Sequence, residues 1–347
     1  MRVLIVRIGA MGDVLHAMPA VAALRALHPD WFIGWAIEPR WSDLLQIAGD
    51  PNDLSQGVGR FVGHALVDRW YRVAAGEWKR SPFSRRTRRD IFGLRDLLRS
   101  QCFDVCVDMQ GALKSAVVGR MAAARLLCGP AEPRERLARW FYTQKVPVTA
   151  AHVVEQGCEL LGAAVGESLS PARVTLPIDE TDERWADGIV GRQRFSLISP
   201  GGGWGAKIWP AERYGRVAAE LGRAGVPTLV NTSFPGSREA DRVVETSEGS
   251  ARAVACTVGQ LIALTRRAAV VIAGDTGPLH LAAALERPVV GIFGPTDPAR
   301  NGPYGTRSCV LRDAASLTSH KRAGEPEPGM LQIQVDEVVR AALEMLG

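Results

Sequence analysis

Residues Gly274 to His280 read Gly-Asp-Thr-Gly-Pro-Leu-His, a combination suited to holding an anion. The apolar run Ala268–Ala273 before them predicts a buried parallel strand, and Pro278 fits the opening of a helix, where its missing N–H costs nothing. The turn between strand and helix offers backbone N–H groups and the positive end of a helix dipole. Asp275 and Thr276 would serve equally well as a plain helix cap. His280, in the first helical turn, can face an anion and weighs toward a ligand site. Through Arg287-Pro288 the chain enters a second apolar run, Val289–Phe293, and Gly294-Pro295-Thr296-Asp297-Pro298 then adds another polar turn. This is one right-handed βαβ unit, with a phosphate-type pocket expected at the carboxyl ends of its strands.

Two other turns carry reactive side chains. Val3–Val6 reads as a buried strand, Arg7-Ile8-Gly9-Ala10-Met11-Gly12-Asp13 as a tight turn, and Val14–Leu27 as a helix with an apolar side. Asp13 at the helix start is stabilised by the dipole. It suits an N-cap or a catalytic base, and the turn alone does not choose. Phe32–Ile37 followed by Glu38 imitates the opening of a dinucleotide-binding domain, but the glycines are spaced Gly9-x-x-Gly12 rather than GxGxxG. Nicotinamide binding is not expected. In the second half, Phe195–Ser199 predicts a strand, and the turn Pro200 to Pro210 contains Gly201-Gly202-Gly203 and Lys207 between Trp204 and Trp209. A lysine held there can neutralise a phosphate. Helices are expected from Pro210 to about Arg223, over Ser237–Ser247 with Glu239 on it, and from Thr257.

Residues 69–99 hold ten Lys/Arg against three Asp/Glu, and six of the twelve residues Trp78–Arg89 are basic. Asp90–Arg99 has the pattern of an ordinary amphipathic helix with a solvated face. The Trp78–Arg89 segment, with Trp70, Tyr71, Trp78 and Phe83 interleaved or nearby, suits a phosphate-rich or membrane-surface ligand. Nucleic acid is the rival, but no helix-turn-helix, zinc-finger or RNP pattern accompanies it. Phe103–Asp108 predicts another strand, followed by Met109-Gln110-Gly111-Ala112-Leu113-Lys114-Ser115, and a second basic segment spans Arg134–Tyr142.

The 347 residues exceed one core of ordinary size, so two domains are expected. A Ser/Pro-rich stretch marks the linker over residues 169–190, between a first domain (1–168) and a second (191–330); a closing helix spans 331–347. Lys321–Gly329 reads as a mobile loop. Net charge is +5, of which residues 1–150 hold +8 and the remainder −3, so the first half is built to meet something anionic. No run of 18 apolar residues exists to span a membrane, and the start lacks the long apolar region of a signal peptide, which predicts a cytoplasmic chain. The six cysteines show no CxxC pair and read as small core residues.

Taken in order, VLIVRIGAMGDVLHAMPA, DMQGALKSA, RERLARWFY, PGGGWGAKIWP, GDTGPLHLAAAL and FGPTDP resemble the ADP-heptose:lipopolysaccharide heptosyltransferases of glycosyltransferase family 9, from residue 1 to about 305. The amino-terminal half is most similar to the heptosyltransferase I type. The resemblance implies an α/β protein of the GT-B fold, with two Rossmann-like domains facing across a cleft. It implies inverting transfer without a metal, cofactor or covalent intermediate, from ADP-heptose to a Kdo2-lipid A acceptor at the cytoplasmic face of the inner membrane. Carried over by position, Asp13 is the general base and Lys207 stabilises the departing ADP together with N–H groups around Thr276, Gly277 and His280. Gly203, Glu239, Asp275, Thr276, Gly277 and His280 would bind the donor. Lys79, Arg80, Arg85, Arg86, Lys114, Arg134 and Arg136 would receive the acceptor's phosphates and carboxylates. Membrane contact is then peripheral and salt-sensitive, with no nucleic-acid partner. A family 9 transferase using another sugar or a heptosylated acceptor is the alternative, and a non-catalytic protein that binds anionic lipid is a further one.

Overall fold

A computed structural model describes residues 1–45, 65–319 and 323–347. The chain divides into two compact units, Met1–Pro177 and Ile178–Gly347.

The first unit runs β1 (Arg2–Val6), α1 (Met11–Leu27), β2 (Phe32–Ile37), a 3₁₀ turn (Pro39–Leu44), β3 (Arg69–Arg72), α2 (Ala75–Arg80) and α3 (Arg85–Ser100). It continues with β4 (Val105–Asp108), α4 (Leu113–Met121), β5 (Leu126–Pro130), a second 3₁₀ turn (Arg136–Phe141), β6 (Gln144–Val146) and α5 (Val153–Val165). The six strands are parallel in the order β3-β2-β1-β4-β5-β6. Strand order therefore reverses between β1 and β4, which pair with Val6 opposite Asp108. In open parallel sheets this switch point is where ligands bind. Central strands are short apolar runs, as burial on both faces demands, and Leu4, Val6 and Cys106 are wholly buried.

The second unit repeats the plan. Its elements are α6 (Glu180–Val190), β7 (Ser196–Ser199), α7 (Ala211–Arg223), β8 (Thr228–Thr232), α8 (Arg238–Glu245), β9 (Ala251–Ala255), α9 (Val258–Arg267) and β10 (Val270–Gly274). Then come α10 (Gly277–Ala284), β11 (Val289–Phe293), α11 (Pro298–Asn301), β12 (Ser308–Arg312), α12 (Pro328–Gln332) and α13 (Val335–Leu346). The parallel order β12-β11-β10-β7-β8-β9 puts this switch point between β7 and β10. The closing helix is an integral part of this unit: Val338 and Ala342 are fully buried in its core, and Trp209 Nε1 donates to Ile333 O at 3.2 Å.

Four sequence expectations need adjusting. Half of the span 169–190 is helix α6, capped by Asp179 and tied to α9 through Glu183 with Arg266 and Arg267. Helix α3 begins at Arg85 rather than Asp90, with Ser84 as its N-cap. The loop expected over Lys321–Gly329 starts in residues outside the described ones, but from Ala323 it is clasped. Ala206 N–H donates to Ala323 O and Glu327 N–H to Ala206 O, both at 3.2 Å. Of the six cysteines, all unpaired, Cys102 is exposed rather than in a core.

Candidate active site

In the first unit the β1–α1 turn fixes a carboxylate. Asp13 is the third residue of α1, and one of its oxygens accepts from the Ala10 N–H at 3.1 Å, an N-terminal capping contact that the alanine cannot return. The other oxygen pairs with the Arg7 guanidinium at 3.0 Å, while Arg7 Nε also donates to Asp13 O at 3.0 Å. Asp13 is thus both helix cap and oriented acid. Its side chain remains 35% exposed, so it can still be approached. Gly9 is required by close approach: a Cβ there would lie 2.7 Å from Trp41 Nε1.

The neighbouring β4–α4 turn locks onto this one. Arg7 donates to Met109 O, and Gln110 Oε1 accepts from the Ile8 N–H at 2.8 Å. Beneath the turn, Asp108 is fully buried and accepts four hydrogen bonds. They come from the Gln110 N–H (2.9 Å), Gly111 N–H (3.1 Å), Ser115 hydroxyl (2.9 Å) and Tyr142 hydroxyl (2.8 Å). Burial raises its pKa and these four donors work against the rise. Arg7, Asp108, Gln110 and Tyr142 were not candidates from sequence, although they lie in or beside the quoted motifs. Tyr142→Phe is expected to cost about 1–3 kcal/mol, because it removes a donor from a buried carboxylate. Urea unfolding of the whole chain measures this.

The seven candidate acceptor cations all lie on this unit and all are exposed. Lys79 and Arg80 end α2, and Arg85 and Arg86 open α3. Lys114 lies in the first turn of α4, with Arg134 and Arg136 beside it. Arg86 lies 4.0 Å from both Glu77 and Asp90, whereas Lys79, Arg85, Lys114, Arg134 and Arg136 make no ion pair among the described residues. Four arginines in the first five residues of α3 oppose the helix dipole, a local cost that bound anions would offset.

In the second unit, Lys207 and Asp275, expected as separate actors, form one ion pair across the switch point. Lys207 Nζ also lies 4.3 Å from the centre of the Trp204 ring. The other Asp275 oxygen meets His280 Nε2 at 3.0 Å. Burial alone would raise the Asp275 pKa, but the hydrogen bond and charge of His280 and the charge of Lys207 hold it well below the usual carboxylate range. The His280 backbone N–H donates to Thr276 O at 3.4 Å, so its amide is taken up within the helix while its ring meets Asp275. Thr276 is the N-cap position of α10, and Gly277 and Pro278 open the helix. Exposed Glu239 lies in the first turn of α8, where the Ser237 hydroxyl donates to it at 2.9 Å; this is the same sheet edge, after β8. Asp297 in the later polar turn caps α11. Among the described residues no group of three or more His, Cys, Asp or Glu could hold a metal ion.

Two of the four glycines of the Lys207 turn differ sharply. A Cβ on Gly203 meets nothing within 4 Å, whereas one on Gly205 would lie 1.8 Å from Gly324 O. Gly205→Ala is therefore expected to force apart the 323–327 clasp at a cost of about 1–3 kcal/mol. Gly203→Ala should stay within about 0.5 kcal/mol of the parent. Thermal unfolding of the two variants decides.

Two parallel sheets of one topology, each with its polar cluster at the switch point, make the GT-B fold. Residues 91–330 match the profile of glycosyltransferase family 9 (heptosyltransferase), and the chain belongs to that family. It is 29% identical over 324 residues to lipopolysaccharide heptosyltransferase 1 of Escherichia coli K12, covering 90% of this chain and 93% of that one. The solved E. coli heptosyltransferase WaaC with ADP superposes with a TM-score of 0.78 at 25% identity, covering 99% of this chain and all of that one. WaaC with ADP-2-deoxy-2-fluoro heptose gives 0.75 at the same identity, over 99% of each chain. The similarity thus continues beyond residue 305, where the motifs stop. The chain is a glycosyltransferase.

Proposed function

We propose that this enzyme transfers heptose from ADP-heptose to the Kdo region of a Kdo2-lipid A acceptor, as the first heptosylation of the lipopolysaccharide core. The first unit would bind the acceptor and the second the donor. The observation that carries the reading is the Asp13 carboxylate, gripped by Ala10 and Arg7 at a sheet switch point yet open to approach. A carboxylate has about four lone-pair sites, so these contacts leave room for an acceptor O–H. The acceptor oxygen would attack the anomeric carbon as the carbon–phosphate oxygen bond breaks. Asp13 would take the hydroxyl proton and ADP would leave, with inversion at the anomeric carbon.

Negative charge then grows on the ADP oxygen. Lys207 would meet it; its contacts with Asp275 and the Trp204 ring, beside the amino end of α10, support this role. Asp275 and His280 would therefore serve the donor partly by orienting Lys207. Glu239, Thr276, Gly277 and Gly203 complete the donor set. The acceptor's phosphates and carboxylates would meet Lys79, Arg80, Arg85, Arg86, Lys114, Arg134 and Arg136. Among the described residues no helix is long and apolar enough to cross a membrane. We place the enzyme at the cytoplasmic face of the inner membrane, in peripheral contact that weakens with salt. The similarity of this chain over most of its length to lipopolysaccharide heptosyltransferase 1, and to a heptosyltransferase solved with ADP-2-deoxy-2-fluoro heptose, supports heptose as the sugar and lipopolysaccharide as its destination. The test is product analysis with a panel of sugar nucleotides. Mass spectrometry should find one heptosyl residue added, and NMR an anomeric configuration inverted relative to the donor. Transfer of a different sugar, or retention, would overturn the reading.

A further inference from the structure

Residues Arg136–Phe141 form a 3₁₀ turn, Arg-Leu-Ala-Arg-Trp-Phe. With three residues per turn, side chains three apart eclipse, so the six residues fall into three rows of two. Ala138 and Phe141 form the inward row: Ala138 is fully buried, and Phe141 packs against the same core. Arg136 and Arg139 form a second row, exposed and without an ion pair among the described residues. Leu137 and Trp140 form the third and are 63% and 83% exposed. A single exposed apolar residue is ordinary. Here a tryptophan and a leucine are aligned, fixed from behind by a buried row and flanked by a cationic one.

The surroundings extend the pattern. The Glu135 N–H donates to Gly111 O at 2.9 Å, and the Leu113 N–H donates to Glu135 at 2.8 Å. This ties the turn to the start of α4, where exposed Leu113 and Lys114 lie. Two or three apolar side chains fall far short of the roughly 800 Å² per partner that a stable protein interface buries. They are enough to enter the headgroup region of a bilayer, where tryptophan is favoured and arginine meets lipid phosphate.

We propose that this turn is a membrane wedge: Leu137 and Trp140 enter the interface of an anionic bilayer while Arg136 and Arg139 pair with lipid phosphates. The inference rests on the membrane-surface part of the proposed function and adds to it a component of attachment that salt does not remove. The test is sedimentation of the full chain with phosphatidylethanolamine–phosphatidylglycerol vesicles that contain neither acceptor nor donor. Its failure is thereby separate from any failure of sugar transfer. Leu137→Ser/Trp140→Ser should lower the partition coefficient about 10- to 100-fold, given the apolar area removed from the lipid. The deficit should persist at about 1 M salt, where charges are screened beyond roughly 3 Å. Trp140→Phe should restore most of the binding. Because both side chains are exposed, circular dichroism should match the parent. Equal partition of parent and double variant, or no partition of the parent, would overturn the proposal. So would self-association that the double variant abolishes without any vesicle binding.

Discussion

Asp13→Asn is expected to lower kcat about 10²- to 10⁴-fold, the range lost when a positioned general base is removed. The amide keeps the size of the side chain, and its oxygen can still accept from Ala10 N–H, so the helix cap survives. What disappears is the proton acceptor and the charge paired with Arg7. Calorimetry with ADP should therefore give an affinity close to that of the parent, because the proposed donor residues are all in the other unit. An equal loss of ADP affinity would show that the substitution had acted through the fold. Activity within tenfold of the parent would remove Asp13 from the mechanism.

Asp275→Asn has the second large effect, and it is a double one. The Lys207–Asp275 pair is nearly buried, with side chains 12% and 8% exposed. Removing one partner of such a pair leaves an uncompensated charge, typically at a cost of about 3–5 kcal/mol. Lys207 also loses the contact that orients it, so ADP affinity should fall together with turnover, unlike in Asp13→Asn. The pH dependence has a definite sign. The folded-state pKa of Asp275 is depressed, so its stabilising contribution is present above the unfolded value of about 3.9 and is lost as pH falls below it. Acid should destabilise the parent more steeply below about pH 4 than it does Asp275→Asn. Parallel unfolding curves across that window would contradict the assignment. Asp275→Glu, which keeps the charge but lengthens the arm, should recover stability better than turnover.

Much of this was legible in the chain because buried parallel strands are written as apolar runs and their turns as glycine with polar residues. Seven strands (β1, β2, β4, β7, β8, β10 and β11) announce themselves in this way. β3 (RWYR), β5 (LLCGP), β6 (QKV), β9 (ARAVA) and β12 (SCVLR) do not. Four of these five lie toward the edges of their sheets, where charged and small residues are tolerated, and β5 carries Gly and Pro. The start of α3 was hidden by arginines, which suit a helix interior but not its first turn.

The site divides along the same line. Asp13, Lys207, Asp275 and His280 could be chosen by residue type and by position in a turn. Their partnerships could not, because they form between turns far apart in the chain. Lys207 and Asp275 are 68 residues apart, and Gln110 reaches across 102 residues to Ile8. The glycine that admits Trp41 and the carboxylate that anchors the Met109–Ala112 turn likewise exist only once the parallel strands have met. Here the sequence displays reactive groups, and strand order decides which of them touch.

The most direct test of the central claim is ADP release from ADP-heptose by the wild-type chain, with and without Kdo2-lipid A. Release should depend on the acceptor, saturate with both substrates and collapse in Asp13→Asn. Release at the same rate without acceptor, or none with this pair while another sugar nucleotide is consumed, would contradict it.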